Sequence, residues 1–319
     1  MSESYQITCC GVNERGDALR VLHAGLDEDG QVGLLHALNA VGNQDELAFA
    51  GLLIAQSGGG FLAGTELPAA ELPIIGLHAA VWVQLLPGRT AVVWTPAAGH
   101  PASPGLMRAA ADYLDANDVV VAQILASPEA PTDQTMLAAG DFQQLANLIY
   151  LSVGPSHFPP VPPEGSLQFE RCAERQPERL GKLLLRTYDD SLDCPALNGV
   201  RTPADIVRGY AAQSAKDAQQ WYFVRHNDQD VGTLILASHL QGGNWELVYM
   251  GIVPQARGQG FGWQILQCAL WQAKSGHGQR MVLAVDEANV YALRTYRQAG
   301  FIVWDRRTVF ARVRKTPEP

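Results

Sequence analysis

From Leu167 onward the spacing of apolar residues changes period in a regular succession. Leu167–Cys172 reads as a strand, and Leu180, Leu183, Leu184 and Tyr188 place a helical stripe on Glu178–Tyr188. A second helix is predicted over Pro203–Ala212. Trp221–Arg225 and Val231–Ser238 are apolar runs joined by Asn227, Asp228 and Asp230, the signature of a hairpin, and Trp245–Val253 reads as a third strand. Ile265, Leu266, Ala269 and Leu270 make Gly262–Ser275 helical. Met281–Val285 follows as a short buried strand, Val290–Gln298 as a helix ended by Gly300, and Phe301–Val313 as a closing hairpin. The order predicts an α/β (α+β) domain: a mixed, mostly antiparallel sheet covered by helices.

The first half carries a fainter copy of the same order. Val81–Leu86 and Ala91–Thr95 read as strands, Leu106–Ala116 as a helix, Val119–Leu125 as a strand, Thr132–Ala139 as a helix and Leu148–Val153 as a strand. VVVAQILA stands where MVLAVDEA stands later, and MLAAGDF where YRQAGF stands, so a tandem duplication is expected. Between the halves, Pro155, Pro159, Pro160, Pro162 and Pro163 crowd residues 154–165 and disfavour regular hydrogen bonding. The predicted division is residues 1–153, a proline-rich linker at 154–165, and residues 166–319.

Composition narrows the class. With 319 residues, 47% of them hydrophobic and 17% charged, the chain suits two folded domains. Its net charge of −9 disfavours nucleic acid, which needs a basic stripe. No apolar run approaches the roughly 20 residues of a membrane helix, so neither membrane association nor export is expected, and the protein reads as cytoplasmic, a monomer or homodimer. Five scattered cysteines without paired spacing predict reduced thiols and no metal site.

The chemistry concentrates at Met250–Gly262, MGIVPQARGQGFG. Arg257, Gly260 and Gly262 form an RxxGxG spacing between a strand and a helix, with Gly258, Gln259 and Phe261 filling the turn. Glycines there let backbone N–H groups converge on a pyrophosphate, helped by the dipole of the following helix. The chain contains no GKS or GKT, which removes a Walker loop. A dinucleotide loop would need GxGxxG, but the glycines fall at 258, 260 and 262, after a predicted antiparallel hairpin.

Taken together, Leu167–Val313 resembles the GCN5-related N-acetyltransferase (GNAT) superfamily, whose coenzyme A loop carries RxxGxG. Glu246–Pro254 resembles the family's fourth strand, and Asn289, Ala292 and Tyr296 resemble the segment after its fifth. The duplicated arrangement is similar to tandem acetyltransferases such as mycothiol synthase. The resemblance implies acetyl-CoA as cofactor and a small-molecule or peptide amine as acceptor. It also implies that backbone amides near Met250, Gly251 and Ile252 hold the pantetheine, and that Asn289 belongs to the cofactor site.

Aminolysis of a thioester needs an uncharged amine, oxyanion stabilisation and a proton for the departing thiolate. Strand alternation puts Glu246 on one face with Val248, Met250 and Ile252, placed to take the amine's proton; the alternative is a solvated strand carboxylate. Asn289 and Tyr296 lie two helical turns apart on one side of their helix. A phenol, with a pKa of roughly 10 against roughly 8.5 for a thiol, can protonate the thiolate, so Tyr296 is the candidate acid and a core aromatic its alternative. Asp189, Asp190 and Asp193 could draw in a cationic amine or simply form a solvated turn, and Cys194 beside them reads as a buried or substrate-lining thiol.

In the first half the corresponding loop is Ala98–Gly105, where Pro101 and Pro104 remove amide donors, and Met136 replaces the phenol. That half is expected to be a degenerate copy. Ser57–Gly60 reads as a hairpin turn. An acyl-CoA-binding protein without activity is the alternative to the enzyme, and a dinucleotide-binding oxidoreductase a more remote one.

Overall fold

The computed structural model of the chain describes residues 5–41, 46–57, 76–172, 176–213, 219–239 and 243–314. Gly58–Gly60 of the expected glycine turn lie outside the described residues. The chain divides into two compact units: unit 1 comprises Met1–Gln144 with Val309–Pro319, and unit 2 comprises Leu145–Thr308.

Unit 1 runs β1 (Tyr5–Cys9), α1 (Arg15–Gly25), α2 (Glu28–Val41), β2 (Leu52–Ser57), β3 (Leu77–Leu86), β4 (Thr90–Trp94), α3 (Ser103–Ala116), β5 (Val121–Ala126) and α4 (Gln134–Ala139), then the start of β6 (Gln143–Val153). The strands β1 to β5 neighbour one another in that order, antiparallel except for β4 and β5. Strands β2 and β3 are almost continuously apolar because helices cover both faces of their sheet. Leu53, Ala55, Val81 and Val83 pack with α3 and α4, while Leu52, Ile54, Ala80 and Trp82 pack under α1 and α2. Trp82 is fully buried, stacks on Phe49, and donates its indole N–H to the Ala48 carbonyl at 2.9 Å.

Unit 2 takes up most of β6 and continues with β7 (Gln168–Arg171), α5 (Pro177–Tyr188), α6 (Pro203–Ala211), β8 (Gln219–His226), β9 (Gln229–His239), β10 (Asn244–Ile252), α7 (Phe261–Ser275), β11 (Arg280–Asp286), α8 (Val290–Gln298) and β12 (Ile302–Val313), which ends in unit 1. From β7 to β12 the element order repeats that from β1 to β6. The sheet order is β6-β11-β10-β9-β8-β7, antiparallel except for β10 and β11. One core joins Leu180, Leu183 and Leu184 of α5 to Phe223, Leu234 and Leu236 and to Ile265, Leu266 and Leu270 of α7. Arg179 fastens α5 to β7 and β9: it lies over the Phe223 ring and bonds Asp230 and Glu170 at 2.6 and 2.7 Å. Those hydrogen bonds hold both carboxyls below their usual range.

Three sequence expectations change. Phe301–Val313 is not a hairpin: β12 is one strand, because Asp305-Arg306-Arg307 offers none of the glycine or asparagine that a two-residue turn requires. The compact units do not part at the prolines. Leu145–Val153 and residues 154–165 belong to unit 2, where Phe158 is buried in the core and the Pro159 carbonyl accepts from Lys274 at 2.9 Å. Finally, β10 does not alternate strictly. Its register against β9 slips between Leu247 and Tyr249, with consequences for Glu246 described below. No helix among the described residues is long and apolar enough to cross a membrane.

Candidate active site

In unit 2, β10 and β11 are paired in parallel only over Asn244–Glu246 and Arg280–Val282. Beyond those residues each strand keeps its outer neighbour, β9 or β6, but the two no longer pair with each other. The result is a wedge with backbone N–H and C=O groups on both walls, which an amide-bearing chain could satisfy. Met250, Gly251 and Ile252 form the β10 wall. Gly251 is confined to glycine by close approach, since a Cβ there would collide with the Tyr249 hydroxyl and Thr187.

At the wide end the chain turns from β10 into α7. Gly258 and Gly260 adopt φ of +78° and +76°, and an added Cβ at either would meet nothing within 4 Å, so the turn faces open space. The amides of Gly258, Gln259 and Gly260 have no described partner, and those of Phe261, Gly262 and Trp263 open the first turn of α7, which has no side-chain cap. The Phe261 side chain is buried against His226, leaving only its backbone for a ligand. Six successive amides at a helix N-terminus make a cradle for a polyanion.

Arg257 builds this cradle through its side chain. Its guanidinium donates to the carbonyls of Ile252, Thr187, Asp189 and Asp190 at 2.6–3.1 Å, tying the loop to the C-terminal end of α5. Asp189 and Asp190 therefore meet Arg257 through their backbone, and their exposed carboxylates do not join Asp193 in a cluster. Replacing Arg257 with Met removes charge-assisted bonds and should cost about 2 kcal/mol of stability. Urea unfolding of the two proteins checks this; an unchanged midpoint would remove the clamp from the account.

At the C-terminal end of β11, also on the wide side of the wedge, four residues from two segments interlock. Asn289 caps α8, accepting from the Ala292 amide at 3.2 Å. Its own amide donates to the Asp286 carbonyl. The buried Asp286 carboxylate accepts from the Cys194 and Ala288 amides at 3.1 and 2.9 Å, and Asp193 accepts from the Asp286 amide at 3.1 Å. Burial pushes the Asp193 carboxyl up, and burial together with both carboxylates pushes the Cys194 thiol up to about 12. A thiol held so firmly protonated is a poor nucleophile, so Cys194 lines the site without attacking. Tyr296 is 6% exposed, and no described residue bonds its hydroxyl. Burial first, and the neighbouring Asp193 second, raise its pKa well above that of an ordinary phenol.

Glu246 sits differently from expectation. It pairs with Ala237, and Tyr249 pairs with Ile235 two residues away on β9. The extra residue of the bulge at Val248 thus puts Glu246 on one face with Tyr249 and Gly251, while Met250 and Ile252 lie on the other. The carboxylate meets His239 Nε2 at 3.0 Å and is partly open to solvent.

Sequence reasoning missed the tyrosines beside this site. Tyr188 and Tyr210 share a hydrogen bond at 2.9 Å, and Tyr249 bonds the Thr187 hydroxyl at 2.8 Å. All three are pushed up by burial, and together with Arg201 they line a cavity of about 150 Å³. Aromatic periodicity alone does not separate such residues from core packing.

Unit 1 repeats the wedge without the cradle. Strands β4 and β5 pair only over Thr90–Val92 and Val121–Gln123 and then part. In the following turn, however, the Gly99 amide donates to Asp133 Oδ2 at 2.9 Å, the Ala102 amide to His100 Nδ1 at 3.1 Å, and those of His100 and Ser103 to carbonyls. Pro101 and Pro104 have no donor to offer. A built-in carboxylate therefore occupies the turn, and Met136 is buried in the core. Its bonds to the Met136 and Gly99 amides hold Asp133 below the usual carboxyl value, so its contribution is full at neutral pH and is lost as pH falls through the folded pKa. Asp133→Ala should destabilise the protein by about 1 kcal/mol at pH 7, with the gap from wild type closing in acid. Thermal unfolding at several pH values measures it; a pH-independent gap would contradict the assignment.

A splayed mixed sheet and an amide cradle after its central strand thus stand together in unit 2. Residues 184–301, all within unit 2, match the acetyltransferase (GNAT) family. The family match falls in unit 2, and the chain has the fold of a tandem of two GNAT-like domains. A GCN5-related N-acetyltransferase from Sphaerobacter thermophilus is similar over 97% of this chain and 95% of its own, with a TM-score of 0.58 and 13% identity. A tandem GNAT protein from the clavulanic acid biosynthesis pathway is similar over 99% and 100%, with a TM-score of 0.50 and 13% identity. A GCN5-related N-acetyltransferase from Anabaena variabilis ATCC 29413 is similar over 97% and 73%, with a TM-score of 0.51 and 10% identity. No curated protein matches the sequence.

Proposed function

We propose that unit 2 binds acetyl-CoA and transfers its acetyl group to a primary amine by direct attack within a ternary complex. The observation that carries this is the contrast between two corresponding turns: the amides of residues 258–263 have no partner among the described residues, whereas the donors of residues 99–104 are committed or missing. An uncommitted amide cradle beside an open wedge suits a pyrophosphate followed by an amide-bearing arm. Gly258, Gln259, Gly260, Phe261 and Gly262 would hold the pyrophosphate through their backbone, and Met250, Gly251 and Ile252 the pantetheine. Asn289 contributes by fixing the start of α8 and with it Tyr296.

When bound, acetyl-CoA supplies an activated thioester. Tyr296 holds a proton on its hydroxyl throughout the physiological range and donates it to the departing sulfur. Glu246, on the face of β10 that carries Tyr249 and Gly251, takes the proton of the amine directly or through water. Unit 1 acts as a support with its anion site closed.

Release of free thiol from acetyl-CoA in the presence of a panel of primary amines tests the reading. Amine-dependent release at one rate per chain is expected. Acetyl-CoA binding with no release for any amine would instead make the protein an acyl-CoA-binding scaffold.

A further inference from the structure

The cavity beside the wedge carries two opposite charges that do not satisfy each other. Arg201 lines it next to Tyr188 and Tyr210, and its positive charge acts on both phenols. Among the described residues no carboxylate pairs with the Arg201 guanidinium, whereas Arg179, Arg208, Arg225, Arg306, Arg307, Arg312 and Arg314 each have an acidic partner. Asp193, held inward by the Asp286 amide, lines the same cavity and acts electrostatically on Tyr296, so it marks the end nearest the proposed acid. Leu185, Leu197 and Ile206 supply the apolar part of the wall, beside Tyr249 and the Cys194 thiol. At about 150 Å³ the space matches about five waters, enough for a small organic molecule and too small for a folded peptide.

The geometry points to a small aminocarboxylate as the acceptor, its carboxylate bound by Arg201 and its amine directed by Asp193 toward Tyr296. This rests on the acetyltransferase reading of the adjoining wedge. A guanidinium in a half-buried, aromatic-walled cavity needs an anionic partner, and its planar fork recognises a carboxylate by two parallel bonds. The Asp193 carboxylate on the same lining favours a cation. A small zwitterion meets both demands, and a plain amine meets one.

The test compares alanine, serine and leucine with ethylamine, ethanolamine and 3-methylbutylamine, the same amines without the carboxylate. Thiol release gives kcat/KM for each, and calorimetry gives the affinity of the acetyl-CoA-saturated protein for each. The amino acids should exceed their partners by about 10- to 100-fold, mainly through KM, because a charge-assisted carboxylate pair is gained. In Arg201→Met the ratio should fall toward one, and Arg201→Lys should restore part of it. If acetyl-CoA itself does not bind, the acetyltransferase reading fails. If acetyl-CoA binds but the plain amines are bound and used as well as the amino acids, or neither class binds, the aminocarboxylate assignment alone is overturned. A preference for amino acids that survives both substitutions would remove Arg201 from it.

Discussion

Gly260→Trp should abolish acetyl-CoA binding while leaving unit 2 folded. Gly260 sits at φ +76° as the residue before α7, and its surroundings are open, so the backbone strain of a side chain there costs about 1 kcal/mol and no neighbour must move. The indole would fill the space that the amides of residues 258–263 face. Losing two charge-assisted contacts to a pyrophosphate corresponds to an affinity loss of at least about 100-fold. Calorimetry on the variant measures it, with circular dichroism reporting the fold. A variant that binds acetyl-CoA as tightly as wild type would move the cofactor out of this turn.

Tyr296→Phe carries the second large effect. The hydroxyl has no described partner, so its removal should barely affect stability, yet kcat should fall by about 100-fold with little change in KM for acetyl-CoA. The sign of the pH dependence follows from burial. A phenol acts as an acid only while protonated, and a pKa raised above the ordinary value of about 10 keeps it protonated further into the alkaline range. In wild type the loss of kcat attributable to this group should therefore begin above pH 10, and Tyr296→Phe should lack that limb. Unchanged kcat in the variant would return Tyr296 to the role of a core aromatic.

Much of unit 2 was legible because each element carries one dominant period. The stripes of α5 and α7 and the span of α8 fall where Leu180, Ile265 and Gly300 placed them. The first quarter of unit 1 was not legible, and the reason is physical. Helices α1 and α2 contain Gly16, Gly25, Gly30 and Gly33, which lower helix propensity, and bury only Ala18, Leu22 and Leu34. Tertiary packing against β2 and β3 forms them. The turn at residues 258–262 announced itself because positive φ demands glycine, a local requirement.

The parts of the site that stayed hidden depend on contacts distant in sequence. Nothing local to Arg257 says that its guanidinium reaches Thr187 and Asp190, nor does TYDDSLDC say that only Asp193 turns inward to meet Asp286. The bulge at Val248 is equally silent in the apolar pattern, and it changes the face on which Glu246 lies. The interlock of Asp193 and Cys194 with Asp286 and Asn289 joins two segments that only the fold brings together.

Calorimetric titration of the whole chain with acetyl-CoA, and separately with NADH, tests the central claim most directly. The account predicts one saturable acetyl-CoA site per chain, in unit 2, and no NADH binding. Absence of acetyl-CoA binding, or NADH bound in its place, would contradict it.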